Sequence, residues 1–239
     1  MDRQHRHDLK HDRFVDEIGA LSSKARENQR LLLIIAGAGV AVALLVYGVY
    51  FFRSNREAKA QAALSTAIET AESPLIPAAP QPGQQVPPNA KFKTEAECNA
   101  AAEKQFKEVQ SQYSGSDAAD VAGLYLGRIA AARGDVKTAR ANLEEFIDDH
   151  SGHFLVGGAR YSLYQLRIDN GEANQVVTEL NAELAKAEPA LPADALLNLL
   201  AHAYDVQGNA AKARETYRRI TTEYPDSPYT LEAQRRVGA

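Results

Sequence analysis

Residues 200–217 read LAHAYDVQGNAAKARETY, and this stretch decides the fold. Leu200 and Ala201 are followed three positions on by Tyr204, then by Gly208-Asn209, then by Ala213 and Tyr217. An apolar stripe at helical spacing stops at a glycine, and a second stripe starts just beyond it. That is the pattern of two helices joined by a tight turn. The same stretch recurs upstream. Gly134, Gly171 and Gly208 lie 37 residues apart, twice over. They are preceded by Leu126-Gly127-x-x-Ala130, Leu163-Tyr164-x-x-Arg167 and Leu200-Ala201-x-x-Tyr204. A small or β-branched residue follows five positions on (Ala139, Val176, Ala213), and a larger apolar one nine on (Leu143, Leu180, Tyr217). A fixed period of this size marks stacked helix pairs rather than one globular core.

Working outward, the register reaches further back than the glycines show. Ala102, Phe106 and Val109 precede Ala139, Leu143 and Phe146 by 37 each. Residues 94–113 therefore read as the second helix of an earlier unit, whose first helix is residues 55–72. Between them Pro74, Pro77, Pro80, Pro82, Pro87 and Pro88 fall within 15 residues, which rules out a regular helix or central strand there. The 74–90 stretch is expected to be an extended, proline-rich insertion. At the other end, Tyr224-Pro225-Asp226-Ser227-Pro228 stops one helix and starts another, with Ser227 as N-cap and Pro228 at the first helical position. Residues 228–237 are expected to be a capping helix over the last apolar face. The third unit departs most from the tetratricopeptide pattern that these repeats resemble, with Tyr164 where that pattern has a small residue and Arg167 where it has an aromatic. Its helix pair is expected to pack more loosely.

Leu31 to Phe52 reads LLLIIAGAGVAVALLVYGVYFF, 22 residues without a charge between Arg30 and Arg53. As a helix it spans about 33 Å, enough to cross a hydrocarbon layer of about 30 Å. The competing reading is a signal peptide with Ala58-Lys59-Ala60 as processing site, but the apolar core is too long and a charged tail of 30 residues precedes it. Seven basic residues (Arg3, Arg6, Lys10, Arg13, Lys24, Arg26, Arg30) stand before the span, and only Arg53, Arg56 and Lys59 follow closely. This bias puts residues 1–30 in the cytoplasm and the rest of the chain on the far side. The pairs Gly37/Ala41 and Gly39/Ala43 are candidate contacts for another membrane helix. In the tail, Phe14, Ile18 and Leu21 permit a short amphipathic helix, and His5, His7 and His11 read as solvated rather than metal-bound. Residues 53–73 extend the membrane helix outward, and the repeat domain proper is expected over 91–239.

Composition narrows the function classes. Residues 54–239 carry 19 Lys and Arg against 25 Asp and Glu, an acidic surface unsuited to non-specific nucleic-acid binding. Cys98 is the only cysteine, so there is no intrachain disulfide and no cysteine-based zinc site. No phosphate loop or nucleophile motif is present. Asp148, Asp149, His150 and His153 form the densest polar cluster, and it reads as a solvated turn. The expectation is a protein without enzymatic activity, cofactor, metal or small-molecule substrate. In the repeat register, the exposed positions on the concave face of the first helices are Leu124, Arg128, Tyr161, Gln165, Asn198, His202 and Asp205. Tyrosine, arginine and amides together suit adaptable peptide contacts.

The repeat pattern resembles the tetratricopeptide repeat, most fully in Leu200, Ala201, Tyr204, Gly208, Asn209, Ala213, Tyr217 and Pro225. The layout of tail, single membrane helix, alanine-rich helix and three to four degenerate repeats resembles the bacterial YfgM-like family of ancillary SecYEG translocon subunits. The resemblance implies an all-α fold, with one transmembrane helix followed by an α-solenoid of three to four helix pairs and a C-terminal capping helix. It also implies a periplasm-facing scaffold in the inner membrane, with translocon subunits, chaperones and exported clients as partners. A scaffold for envelope assembly or cell division, and a transmembrane signalling regulator, stay open as alternatives.

Overall fold

A computed structural model describes residues 29–77 and 86–238. The amphipathic pattern at Phe14–Leu21, the histidines His5, His7 and His11, and the centre of the proline-rich stretch lie outside the described residues. All named elements among the described residues are helical. The chain divides into two compact units, residues 1–56 and 57–239.

Helix α1 runs Gln29–Ala71. Within its first part, every described side chain from Leu31 to Phe52 is exposed, including Leu33, Ile34, Val42, Leu45, Tyr50 and Phe52. A helix this apolar (mean hydropathy 2.3) with none of that window buried has the length and composition to cross a membrane. Tyr47 and Phe51 stack one turn apart at 6.4 Å.

The second unit begins with the outer part of α1 and continues as α2 (Glu95–Gln112), α3 (Asp117–Ala132), α4 (Val136–Asp149) and α5 (Val156–Arg167). A kink through Ile168–Glu172, non-helical at Asn170 and Gly171, leads into α6 (Ala173–Leu184), followed by α7 (Ala193–Val206), α8 (Ala210–Glu223) and α9 (Thr230–Gly238). Paired in order, these helices form an α-solenoid. The first helix pair, α1 with α2, is split by the proline-rich insertion, whose base is closed by Ile76 N–H donating to Phe92 O (2.8 Å) and Ser73 Oγ donating to Asn89 O (2.9 Å).

The glycine period has a local cause. Gly134 and Gly208 sit at φ +80° and +73°, a region that a Cβ disfavours. The next residue's N–H bonds back across the turn, Asp135 to Ala130 O (2.9 Å) and Asn209 to Tyr204 O (2.8 Å), and the glycine N–H bonds to Ala131 O and Asp205 O. This 6→1 and 5→2 pair satisfies carbonyls that the helix end leaves open. Asp135 and Asn209 then cap the following helix, accepting from Thr138 N–H and Lys212 N–H. One residue pair thus ends one helix and starts the next.

The third unit breaks this rule. It keeps the left-handed glycine, Gly171 at φ +92°, but Glu172 holds the Asp/Asn position and makes no cap bond to α6. Tyr164 stands half-buried where a small residue would let the helices close. Arg167, in the aromatic position, donates to both carboxylate oxygens of Glu179 on α6 (2.6 and 2.7 Å) and to Glu172 (2.8 Å). Glu172 also bonds Arg140 of α4. Ion pairs here replace close apolar packing between the helices.

The core runs as a series of clusters rather than one centre. Ala60, Leu64 and Ala67 of α1 join Ala102, Phe106, Val109, Ala139, Leu143 and Phe146 in the first cluster. Ile168, Val176, Leu180, Leu196 and Leu200 form the second. Leu197, Ala213, Tyr217, Ile220 and Ala233 form the third, with Ala233 supplied by the terminal helix. That helix starts at Thr230, two residues later than Pro228, because the Ser227 hydroxyl donates to Asp194 (2.7 Å) and accepts from Tyr229 N–H (3.2 Å). Cys98 is buried and its thiol donates to Thr70 O, while burial raises its pKa, so it behaves as a small packed side chain.

Candidate protein-binding groove

The first helices of units two to four place one side chain per turn on a shared face. Between α3, α5 and α7 this face opens into a groove of about 460 Å³. Leu124 and Arg128 come from α3, Tyr161 and Gln165 from α5, and Leu191, Pro192 and Ala195 from the start of α7 and the residues before it. Tyr229, at the entry to the terminal helix, closes one end.

Tyr161 is held from two sides. Its hydroxyl accepts from Asn198 Nδ2 at 2.6 Å, and its ring stacks on Tyr229 at 5.9 Å and 10°. Burial pushes its pKa up to about 12, so the phenol stays protonated at neutral pH. Arg128 is exposed, lies over the Tyr125 ring at 5.6 Å and makes no ion pair among the described residues. It is the only charged residue lining the groove among those described. A second opening, shared through Arg128, Ser162 and Gln165, continues past Asp169 and Asn170.

Four of the residues expected on this face, Leu124, Arg128, Tyr161 and Gln165, come together in the groove. Two of them differ in exposure from that expectation. Leu124 is buried, at 4% exposure, because it also belongs to the first core cluster. Tyr161 is half-buried for the reasons just given. Asn198 reaches the groove only by its bond to Tyr161. His202 pairs instead with Asp169 at 2.7 Å across the α5–α7 junction. Asp205 does not face the groove: its carboxylate accepts from the Tyr217 hydroxyl (3.2 Å) and lies 3.8 Å from Arg236, so it serves the contact of α7 with α8 and α9.

Several lining residues escaped the register argument. Tyr125 and Ser162 stand one position beyond expected ones and turn in at the groove edge. Gly157 and Gly158, paired near the start of a helix, carried a signal, since consecutive glycines are unfavourable there. Tyr229 carried none, because it arrives from outside the repeat. The histidine turn is resolved differently: His150 lies 3.3 Å from Asp120 and His153 3.5 Å from Asp117, and both rings pack on Phe146. On α1, Gly37 and Gly39 have no atom within 4 Å of an added Cβ, and Ala41 and Ala43 are exposed.

Helix pairs at a fixed period, stacked cores, a terminal cap and one open face define a helical-repeat protein whose surface is built to hold other proteins. Residues 26–232 match the tetratricopeptide repeat-like domain, and the chain belongs to that family. Comparison with curated proteins and with solved structures gave no match.

Proposed function

We propose that this protein is a membrane-anchored, non-enzymatic scaffold whose repeat domain holds extended segments of partner proteins in the groove between α3, α5 and α7. The observation that carries this is the groove itself. It has an apolar floor, a tyrosine locked in place by Asn198 and Tyr229, and one guanidinium that lies over the Tyr125 ring and makes no ion pair among the described residues. Rigid aromatic rings supply contact area at small entropic cost. An array of this kind presents an extended concave face for binding.

The finer reading places the anchor in a bacterial inner membrane, with residues 1–30 in the cytoplasm and the repeats in the periplasm. The excess of Lys and Arg before Leu31 supports this orientation. The layout of tail, anchor and degenerate repeats supports a place beside the Sec translocon, assisting chaperones or exported clients. Gly37, Gly39, Ala41 and Ala43 offer the face for a membrane-helix partner. Crosslinking from this helix in intact cells, followed by mass spectrometry, tests the assignment. Translocon subunits are the expected adducts. Envelope-assembly or cell-division proteins in their place would move the scaffold elsewhere, and a reporter fused at Ala239 that is active only in the cytoplasm would reverse the topology.

A further inference from the structure

Helix α5 opens Val156-Gly157-Gly158, and this pair of glycines has no structural reason in the fold. Neither adopts a positive φ, so the backbone does not require glycine. Neither is a point of close approach. A Cβ on Gly157 would meet Leu191 Cδ2 at an ordinary 3.7 Å, and one on Gly158 would meet nothing within 4 Å. Alanine would favour the helix at both positions. What the missing Cβ atoms do provide is bare backbone on the groove wall, beside Tyr161, Leu191 and Tyr229.

Charge adds a second observation. Arg133, Arg140 and Arg167 pair with Glu103, Glu172 and Glu179, and neither they nor Arg160 of α5 line the groove. Arg128 does line it, with only the Tyr125 ring beneath. A guanidinium held over an aromatic ring keeps its donor edge free for a carboxylate. No other charged residue among those described lines the groove, so this cation complements an acidic group on a ligand.

We propose that the groove selects extended peptide segments in which a bulky apolar or aromatic side chain sits over Gly157–Gly158 and a neighbouring Asp or Glu pairs with Arg128. This rests on the proposed groove function and specifies its ligand. The peptide's ring would be received between bare helix backbone and the fixed Tyr161–Tyr229 stack. Its carboxylate would gain a charge-assisted bond at the α3 side.

The test uses the full chain in detergent micelles and fluorescein-labelled decapeptides of Gly, Ser and Thr. These carry one Phe and one Asp two to four residues apart, with Phe→Ala and Asp→Asn peptides as controls. Fluorescence anisotropy of the wild type should show each control binding at least about fivefold more weakly. Gly158→Leu should fill the slot and weaken the Phe/Asp peptide about tenfold or more, without loss of helicity. Arg128→Gln, an exposed change, should abolish the preference for Asp over Asn and keep the preference for Phe over Ala. If all three peptides bind the wild type equally, or binding survives both substitutions and falls only with Tyr161→Ala, this ligand class is wrong and the groove stands. If no peptide binds the wild type, the groove reading falls with it.

Discussion

An added methyl group at Gly127 would lie 3.0 Å from Asn142 Cβ and 3.4 Å from the Ala139 carbonyl oxygen. Neither neighbour is the free end of a flexible side chain, so α3 and α4 would have to part. Gly127→Ala should therefore destabilise the repeat domain by about 1–3 kcal/mol, despite alanine's better helix propensity, as measured by urea unfolding. An unchanged midpoint would mean that these two helices are not in the contact described. This residue was readable in advance because Leu126-Gly127 keeps the small position of the repeat. Asp205 was not. A helical register says which side of α7 a residue occupies, but not that Tyr217 and Arg236 from two later helices will reach the same carboxylate. Tyr161 was half readable: its place on the face was evident, while its burial depends on Tyr229, 68 residues further along the chain.

At the scale of elements, the third unit is where ionic contacts stand in for packing. Arg167 is only 16% exposed and ties α5 to α6 through Glu179 and Glu172. Hydrogen bonds to charged groups contribute about 1.5–3 kcal/mol, so Arg167→Ala should lower stability by roughly that amount, more than an exposed pair on α8 such as Arg219–Glu223 would. The pair also makes stability depend on pH. Arg167, with Arg140, holds the Glu172 carboxyl below its ordinary value of 4.5. A depressed carboxylate contributes fully above that ordinary value and loses its contribution as the pH falls through its lower, folded-state value. Thermal unfolding followed downward from pH 5 should show a shallower acid loss in Glu172→Gln than in the wild type, and equal slopes would contradict the assignment. The sequence marks this unit as irregular through Tyr164 and Arg167. The compensation was hidden because Glu172 is one methylene longer than the Asp or Asn that caps the other units. That length lets it reach the two arginines instead of the helix N–H groups.

At the scale of the molecule, the period of 37 made the stack and its terminal cap visible, because each repeat buries its apolar stripe only against its neighbours. Less visible was how firmly the outer part of α1 belongs to that stack: Ala60 and Ala67 are fully buried and Leu64 nearly so. A soluble fragment of residues 57–239 should unfold cooperatively. One of residues 91–239 should be less stable and expose Phe106 and Val109, read by circular dichroism and dye binding. Equal stability would mean that α1 contributes nothing to the core. The account's central claim is that partners lie in the groove of α3, α5 and α7. The most direct measurement places a photo-crosslinking amino acid in the full-length protein in its native cells, at Ser162 in the groove or at exposed Glu215 on α8. Protein adducts at position 162 and none at 215 are predicted; adducts at 215 with none at 162 would contradict the claim.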